Sequence, residues 1–369
     1  MSRLRGQAPV GAVSASAYTI PTDRPEADGT IAWDRTTLVL AEVEAGGERG
    51  LGYTYADAAA AGLVRDVLAE ALRGRDAMDL PAAWEAMVRA VRNIGREGVA
   101  ACAISALDAA LWDAKAKLLG LPLVTLLGAA RREVPVYGSG GFTTYPDEVL
   151  RDQLAGWVER DGCRWVKMKI GTHPEQDPHR VAVAREATGK AGLFVDANGA
   201  FTAKQALAVA HRCAMEAGVA WFEEPVSSDD LDGLRLVRQG GPPGQEIAAG
   251  EYAYDPAYVR RMLVAGAVDV MQADASRCLG ITGFLRAAAL CEGFHTDLSG
   301  HCAPALHLHA ACAAPRLRHL EWFHDHVRIE AMLFDGVPVP LDGAIAPDLS
   351  RPGMGLAFRR ADAARYLVS

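Results

Sequence analysis

The chain has 369 residues, half of them hydrophobic and 23% charged, which is enough apolar material for a large core and excludes a disordered polymer. Its formal net charge of −8 disfavours a nucleic-acid or anionic-membrane partner, and no apolar run approaches the roughly 20 residues of a membrane helix. The opening MSRLRGQAPV has two arginines and no apolar stretch behind them, so no secretory signal is expected. Seven cysteines without a CxxC pair fit reduced thiols and a cytoplasmic setting.

Residues 10–55 read as β-rich. Thr36–Val43 is a strand, and Gly46-Gly47 suits a hairpin turn. Between Tyr18 and Trp33 the stretch TIPTDRPEADGTIA, with two prolines and a glycine, reads as a polar loop. Residues 56–130 read as helical. The best stretch is Val99 to Leu119, with Ile104, Leu107, Leu111 and Leu118 near helical spacing and Gly120 and Pro122 ending it. Residues 1–130 therefore form an expected α+β domain.

From Val134 short apolar strands alternate with helical segments. The strands are Val134–Gly138, Trp165–Ile170, Leu193–Asp196, Ala220–Glu223, Ile247–Glu251, Val268–Asp274, His295–Ser299 and His319–Trp322. A marker at each carboxyl end recurs every 22–31 residues, the period of parallel βα units. Eight such units over residues 131–330 favour a closed (βα)8 barrel of the TIM type over an open sheet. No GxGxxG follows the first strand, which counts against a dinucleotide fold. Residues 331–369 follow the eighth strand and are expected to return to the first domain.

Burying a charge in a barrel strand is costly unless the charge is used. Here charges recur at strand carboxyl ends. Lys167 and Lys169 in VKMKIG are two apart and share a strand face. Asp196, Glu223 and Glu251 end three successive strands. Their carboxylates meet at the mouth and repel without a cation; oxygen ligands select a hard ion, with Mg2+ the default. Asp274 ends the sixth strand and His301 follows the seventh, so the carboxylate can orient the imidazole. Glu321 lies in the eighth strand and faces the same space. His307 and His309 read as structural, being two apart on a helix.

These motifs in combination resemble the enolase superfamily, in particular its mandelate racemase subgroup. VKMKIG is similar to the family's KxK strand, VDAN, WFEEP and AGE to its three metal-ligand strands, Asp274 with His301 to its His–Asp dyad, and HLEW to its glutamate. The helix AISALDAALWDAKAK is also similar to a segment common in the family. The departures are Ala273 before the dyad aspartate, Leu279-Gly280 in place of Gly-Gly, and Arg277 near a position where some relatives carry lysine. The resemblance implies an enolase-like, modified barrel under an N-terminal capping domain, and assembly as a homo-oligomer. It also implies magnesium-dependent removal of the proton next to a carboxylate, through an enediolate. Lys169 is the expected base on one face, its pKa lowered by Lys167 and the cation, and His301 acts from the other. Glu321 is expected to donate a hydrogen bond to the substrate carboxylate. Ser139 and Asn198 are expected substrate contacts, with Tyr18 and Trp33 bounding the loop over the mouth. The expected substrate is an acid sugar, dehydrated to a 2-keto-3-deoxy acid. A 2-hydroxy-acid racemase or epimerase, and a non-catalytic sugar-acid binder, are the alternatives.

Overall fold

The computed structural model describes residues 7–369. Strands β1 (Val10–Ala27), β2 (Ala32–Ala45) and β3 (Glu48–Tyr55) form an antiparallel sheet. The Ala45–Glu48 pair closes the turn at Gly46-Gly47. The helix Val99–Leu118 packs across this sheet. Its alanine-rich face approaches Gly50 and Gly52 so closely that a Cβ at either would lie about 2 Å from the carbonyl oxygen of Ala110 or Ala106. The small side chains on both surfaces are what allow that distance.

The stretch read as a polar loop is instead the end of a long β-hairpin. Strand β1 runs to Ala27 and pairs with β2 down to the Ala27–Ala32 pair, with a bulge between Pro21 and Glu26. A bulge takes up the unpaired residues that the prolines leave. The tip turns at Asp28, whose carboxylate accepts the Thr30 and Ile31 N–H groups at 2.7 and 2.9 Å. It docks on the barrel: the Thr143 N–H donates to Ala27 O at 2.9 Å, and the Thr144 hydroxyl to Pro25 O at 2.6 Å. Gly29 presses against the Ala197 and Ile170 carbonyls, where a Cβ would lie 2.2 Å from the first.

Eight parallel strands follow: β4 (Val134–Gly140), β5 (Trp165–Lys169), β6 (Gly192–Asp196), β7 (Val219–Glu223), β8 (Glu246–Ala249), β9 (Val270–Ala273), β10 (Asp297–Gly300) and β11 (Leu317–Phe323). They are adjacent in chain order, and β11 pairs with β4 from Leu320–Val136 to Phe323–Ser139, closing the barrel. Alternate residues divide between two cores, as the strand period of two requires. Val166, Met168, Leu193, Val195, Phe222 and Leu320 pack outward among the buried residues of the helices. Tyr137, Phe194 and Trp221 form a separate inner cluster, with Phe194 stacked on Trp221 at 5.0 Å.

After the barrel, Phe334–Asp335 pairs with Ala357–Phe358. The Phe358 ring packs on Tyr18 at 5.1 Å, and the Ala17 N–H donates to Ser369 O at 2.7 Å. No helix among the described residues is long and apolar enough to cross a membrane.

The docked hairpin carries a titratable group. Glu26 is fully buried and accepts the Trp33 indole N–H at 2.8 Å. Burial, then Asp325, pushes its carboxyl up to about 8, with Asp23 adding to the rise and Arg328 opposing it. Its other neighbours are Tyr145 and His324. An acid raised in the folded state contributes stability at low pH that is lost as pH climbs through about 4.5 to 8. Glu26→Gln keeps the indole contact without the ionisation. It is expected to raise Tm by roughly 2 °C or more at pH 9, with a smaller effect at pH 6, as read by thermal melts at both pH values. An equal shift at the two would contradict the assignment.

Candidate active site

The carboxyl ends of the strands put their charges on the inner aromatic cluster. Register does this directly: Lys169 pairs with Asp196 across β5 and β6, and Asp196 with Glu223 across β6 and β7. Lys167, two residues before Lys169, points the same way, its Nζ 5.5 Å from the centre of the Tyr137 ring. Glu251 and Asp274 lie just past the ends of β8 and β9, His301 just past β10, and Glu321 within β11.

Lys167, Lys169, Asp196, Glu223, Glu251, Asp274, His301 and Glu321 are all buried. Lys167 Nζ contacts Glu223 Oε1, lies 2.8 Å from Glu321 Oε1, and is 3.4 Å from Asp196 Oδ2. Lys169 Nζ is 2.5 Å from Asp196 Oδ2. Burial would pull both amines down, but Glu223 and Glu321 around Lys167, and Asp196 beside Lys169, outweigh it and hold both above the ordinary lysine range. Lys167 does act to lower Lys169, as expected, but less than Asp196 raises it.

Asp196, Glu223 and Glu251 offer oxygens within 4.8 Å of one another. Burial, then Asp196, pushes the Glu223 carboxyl up to about 8. Glu251 Oε2 is a buried oxygen with no hydrogen-bond partner. Three buried carboxylates, one with an orphaned oxygen, fit a hard divalent cation by both charge and donor type.

His301 Nδ1 is 2.9 Å from Asp274 Oδ2, and its Nε2 faces Glu251 Oε2 at 3.4 Å and Glu321 Oε2 at 3.6 Å. Burial would lower the imidazole pKa, but Cys302, Glu251, Glu321 and Asp274 raise it well above the histidine range. Opposing burial, His301 and Arg277 hold Asp274 below the usual carboxylate range. Nε2 is the ring nitrogen left unbound by Asp274, and it is the one turned toward Glu251 and Glu321.

The site opens into a cavity of about 380 Å³ between barrel and cap, lined by Lys169, Glu251, His301 and Glu321 below and by Asp28, Trp33, Arg35, Thr36, Thr37 and Asp57 above. Asn198, in the left-handed region at φ +46°, also lines it, and its N–H donates to Asp196 Oδ1 at 2.9 Å.

Two sequence expectations are corrected. Tyr18 does not line the cavity, because it is held in the cap core against Phe358. Ser139 is fully buried and donates its hydroxyl to Glu321 Oε1 at 2.6 Å, so it positions Glu321 and does not face the cavity. Glu321 is placed as an acceptor. Its oxygens take the Ser139 hydroxyl, the Lys167 ammonium and the Cys302 N–H at 3.0 Å, and against burial Lys167 and His301 hold it below the carboxylate range. His307 and His309 are hydrogen-bonded inside the fold, to the Ala275 and Val124 N–H groups.

Three residues were given no site role from the sequence. Arg277 reaches Glu251 Oε1 at 3.2 Å and lines the cavity. Glu224, beside Glu223, is buried at φ +38°, its carboxyl pushed up by burial and Glu251. Cys302 follows His301 at φ +51°, and burial with Glu321 pushes its thiol up to about 12. Adjacency to a motif residue was the available signal for the last two.

Fold and site together define an enzyme of the capped (βα)8-barrel class with three buried carboxylates clustered at the carboxyl end of its barrel. The chain belongs to the mandelate racemase/muconate lactonizing enzyme family of the enolase superfamily: residues 17–128 match its N-terminal domain and residues 149–363 the enolase C-terminal domain-like model. It is 32% identical to L-talarate/galactarate dehydratase of Salmonella typhimurium over 88% of this chain and 84% of that protein. It superposes with a TM-score of 0.95 on a mandelate racemase/muconate lactonizing enzyme-like protein from Rubrobacter xylanophilus, 52% identical over 98% of this chain and all of the other. A racemase from Streptomyces coelicolor with bound magnesium superposes at 0.91, 31% identical over 97% of this chain and all of that one.

Proposed function

We propose that the protein removes the proton alpha to the carboxylate of an acid sugar and expels the β-hydroxyl as water, giving a 2-keto-3-deoxy acid after tautomerisation. One observation carries this reading: the carboxylate triad on β6 to β8 is flanked by an amine on β5 and by a carboxylate-oriented imidazole after β10. Asp196, Glu223 and Glu251 would hold Mg2+, which supplies a hold on the substrate carboxylate and offsets the charge of the enediolate. With a cation at the triad drawing on the Asp196 carboxylate that holds the Lys169 proton, Lys169 releases that proton to solvent and takes the α-proton, and His301 Nε2 gives its proton to the departing hydroxyl. Lys167 is ion-paired on the buried floor and anchors the carboxylates. The polar cavity roof, with Arg35, Thr36, Thr37 and Asp57, supports a polyhydroxy substrate.

The racemase or epimerase reading uses the same pair of groups, because two proton carriers on separate faces also permit inversion. The test is incubation of an acid-sugar library with enzyme and Mg2+ in deuterated water. Dehydration is expected to give a keto acid carrying solvent deuterium. Exchange with inversion and no loss of water would replace dehydration by racemisation. No exchange into any bound acid would leave a binding protein.

A further inference from the structure

The carboxylate triad is not the only ligand set at this end of the barrel. His301 Nε2 and Cys302 Sγ are 3.3 Å apart, Cys302 Sγ and Glu321 Oε2 3.4 Å, and His301 Nε2 and Glu321 Oε2 3.6 Å. All three residues are buried and line the cavity. Zinc bonds of roughly 2.0–2.1 Å to nitrogen, 2.3 Å to sulfur and 2.0–2.2 Å to oxygen, set tetrahedrally, give ligand-to-ligand edges of roughly 3.3–3.6 Å. Each observed separation lies within about 0.3 Å of the edge expected for its pair, so small side-chain shifts would complete the geometry. Asp274 on His301 Nδ1 supplies the carboxylate–histidine support that metal-bound imidazoles carry.

We infer that His301, Cys302 and Glu321 form a second cation site that takes zinc-class divalent ions, distinct from the all-oxygen triad. Nitrogen and sulfur donors select softer ions than oxygen donors do, so the two sites differ in preference. Binding forms metal–sulfur and metal–nitrogen bonds in place of an S–H and an N–H bond, and the Cys302 thiol proton and the His301 Nε2 proton leave to solvent. Occupancy ties up the Nε2 lone pair of His301. The consequence for turnover, inhibition by zinc that a chelator reverses, rests on the function proposed above; the site itself does not.

Cobalt(II) is the probe, added to the full chain saturated with Mg2+. One equivalent is expected to bind with a thiolate-to-cobalt charge-transfer band and the visible spectrum of a tetrahedral ion, both bleached by added zinc. All the cysteines are buried, and Cys302 is the one that lines the cavity, so the band reports on it. Cys302→Ala and Cys302→Ser are each expected to abolish the band, and Asp274→Asn to weaken cobalt binding about 10–100-fold with the band kept. Absence of the band in the wild-type protein, or its survival in both Cys302 variants, overturns the site. These readouts need no turnover, so they stand or fall separately from the dehydratase assignment.

Discussion

Lys169→Met is expected to lower kcat on the acid-sugar substrate by about 10²–10⁴-fold, the range general acid–base groups contribute. The effect should fall on kcat more than KM, because Lys169 is a proton carrier and the triad would hold the substrate carboxylate. Removing its ammonium leaves Asp196 still paired, since Lys167 Nζ lies 3.4 Å from the same oxygen. The variant therefore keeps one cation near Asp196, and a folding defect is not the expected cause of the loss. His301→Asn is expected to cost a similar factor through the other face. The informative measurement is α-proton exchange in deuterated water on two substrates epimeric at the reacting carbon. Lys169→Met should lose exchange with one epimer and keep it with the other, and His301→Asn should do the reverse. Equal loss of exchange with both epimers in both variants would mean that the two groups act as one unit on one face. Full turnover in either variant would remove that residue from the chemistry.

The barrel and its charged end were legible because two physical rules coincide there. Parallel strands must be apolar, so eight short apolar runs at a steady spacing stand out. A charge at the end of such a run is costly unless used, so Lys169, Asp196, Glu223 and Glu251 stand out against it. Strand ends were less legible: Glu251 and Asp274 read as strand residues and lie just beyond the strands, because backbone pairing stops before the mouth and composition does not mark the place. The hairpin was misread for a related reason. TIPTDRPEADGTIA is polar because it faces solvent and the cavity, and polarity with two prolines reads as a loop. Pairing with β2 comes from a strand contributed by the apolar segment after it, a non-local effect. Tyr18 followed that error, since its burial depends on Phe358, some 340 residues away.

Protonation was the least legible layer. The charge held on Glu321 depends on how many donors converge on it, and Ser139, Lys167 and the Cys302 N–H come from β4, β5 and the turn after β10. The lowering of Lys169 by Lys167 was the right sign but the smaller force, because the register that seats Asp196 beside Lys169 is a property of the closed sheet. In both cases the sequence names the groups, while the distances decide which charge dominates.

Asp196→Asn is expected to abolish Mg2+ binding at the triad and to cut turnover by at least about 10³-fold, equivalent to about 4 kcal/mol of transition-state stabilisation. Asp196 is the residue on which most of the site's balance rests. Its Oδ2 faces both lysines at 2.5 and 3.4 Å, and its charge acts to raise both the amines and Glu223. Replacing it by an amide removes one of three ligand charges and the main force holding the proton on Lys169. Two opposing results follow for Lys169. It becomes a better base in the variant, while its substrate loses the charge that makes the α-proton removable. The second effect wins, because a shift in one amine changes proton-transfer driving force by a fraction of its pKa change, whereas the carbon acid is beyond reach without charge stabilisation. Thermal melts separate binding from chemistry. Wild-type protein is expected to gain stability with Mg2+, about 2.7 kcal/mol at a hundredfold excess over Kd, and Asp196→Asn is expected to show no such gain. Glu223→Gln and Glu251→Gln are expected to follow it, since each removes another carboxylate of the same set. A magnesium-dependent rise in Tm that survives in all three variants would place the cation elsewhere, and with it the reaction centre.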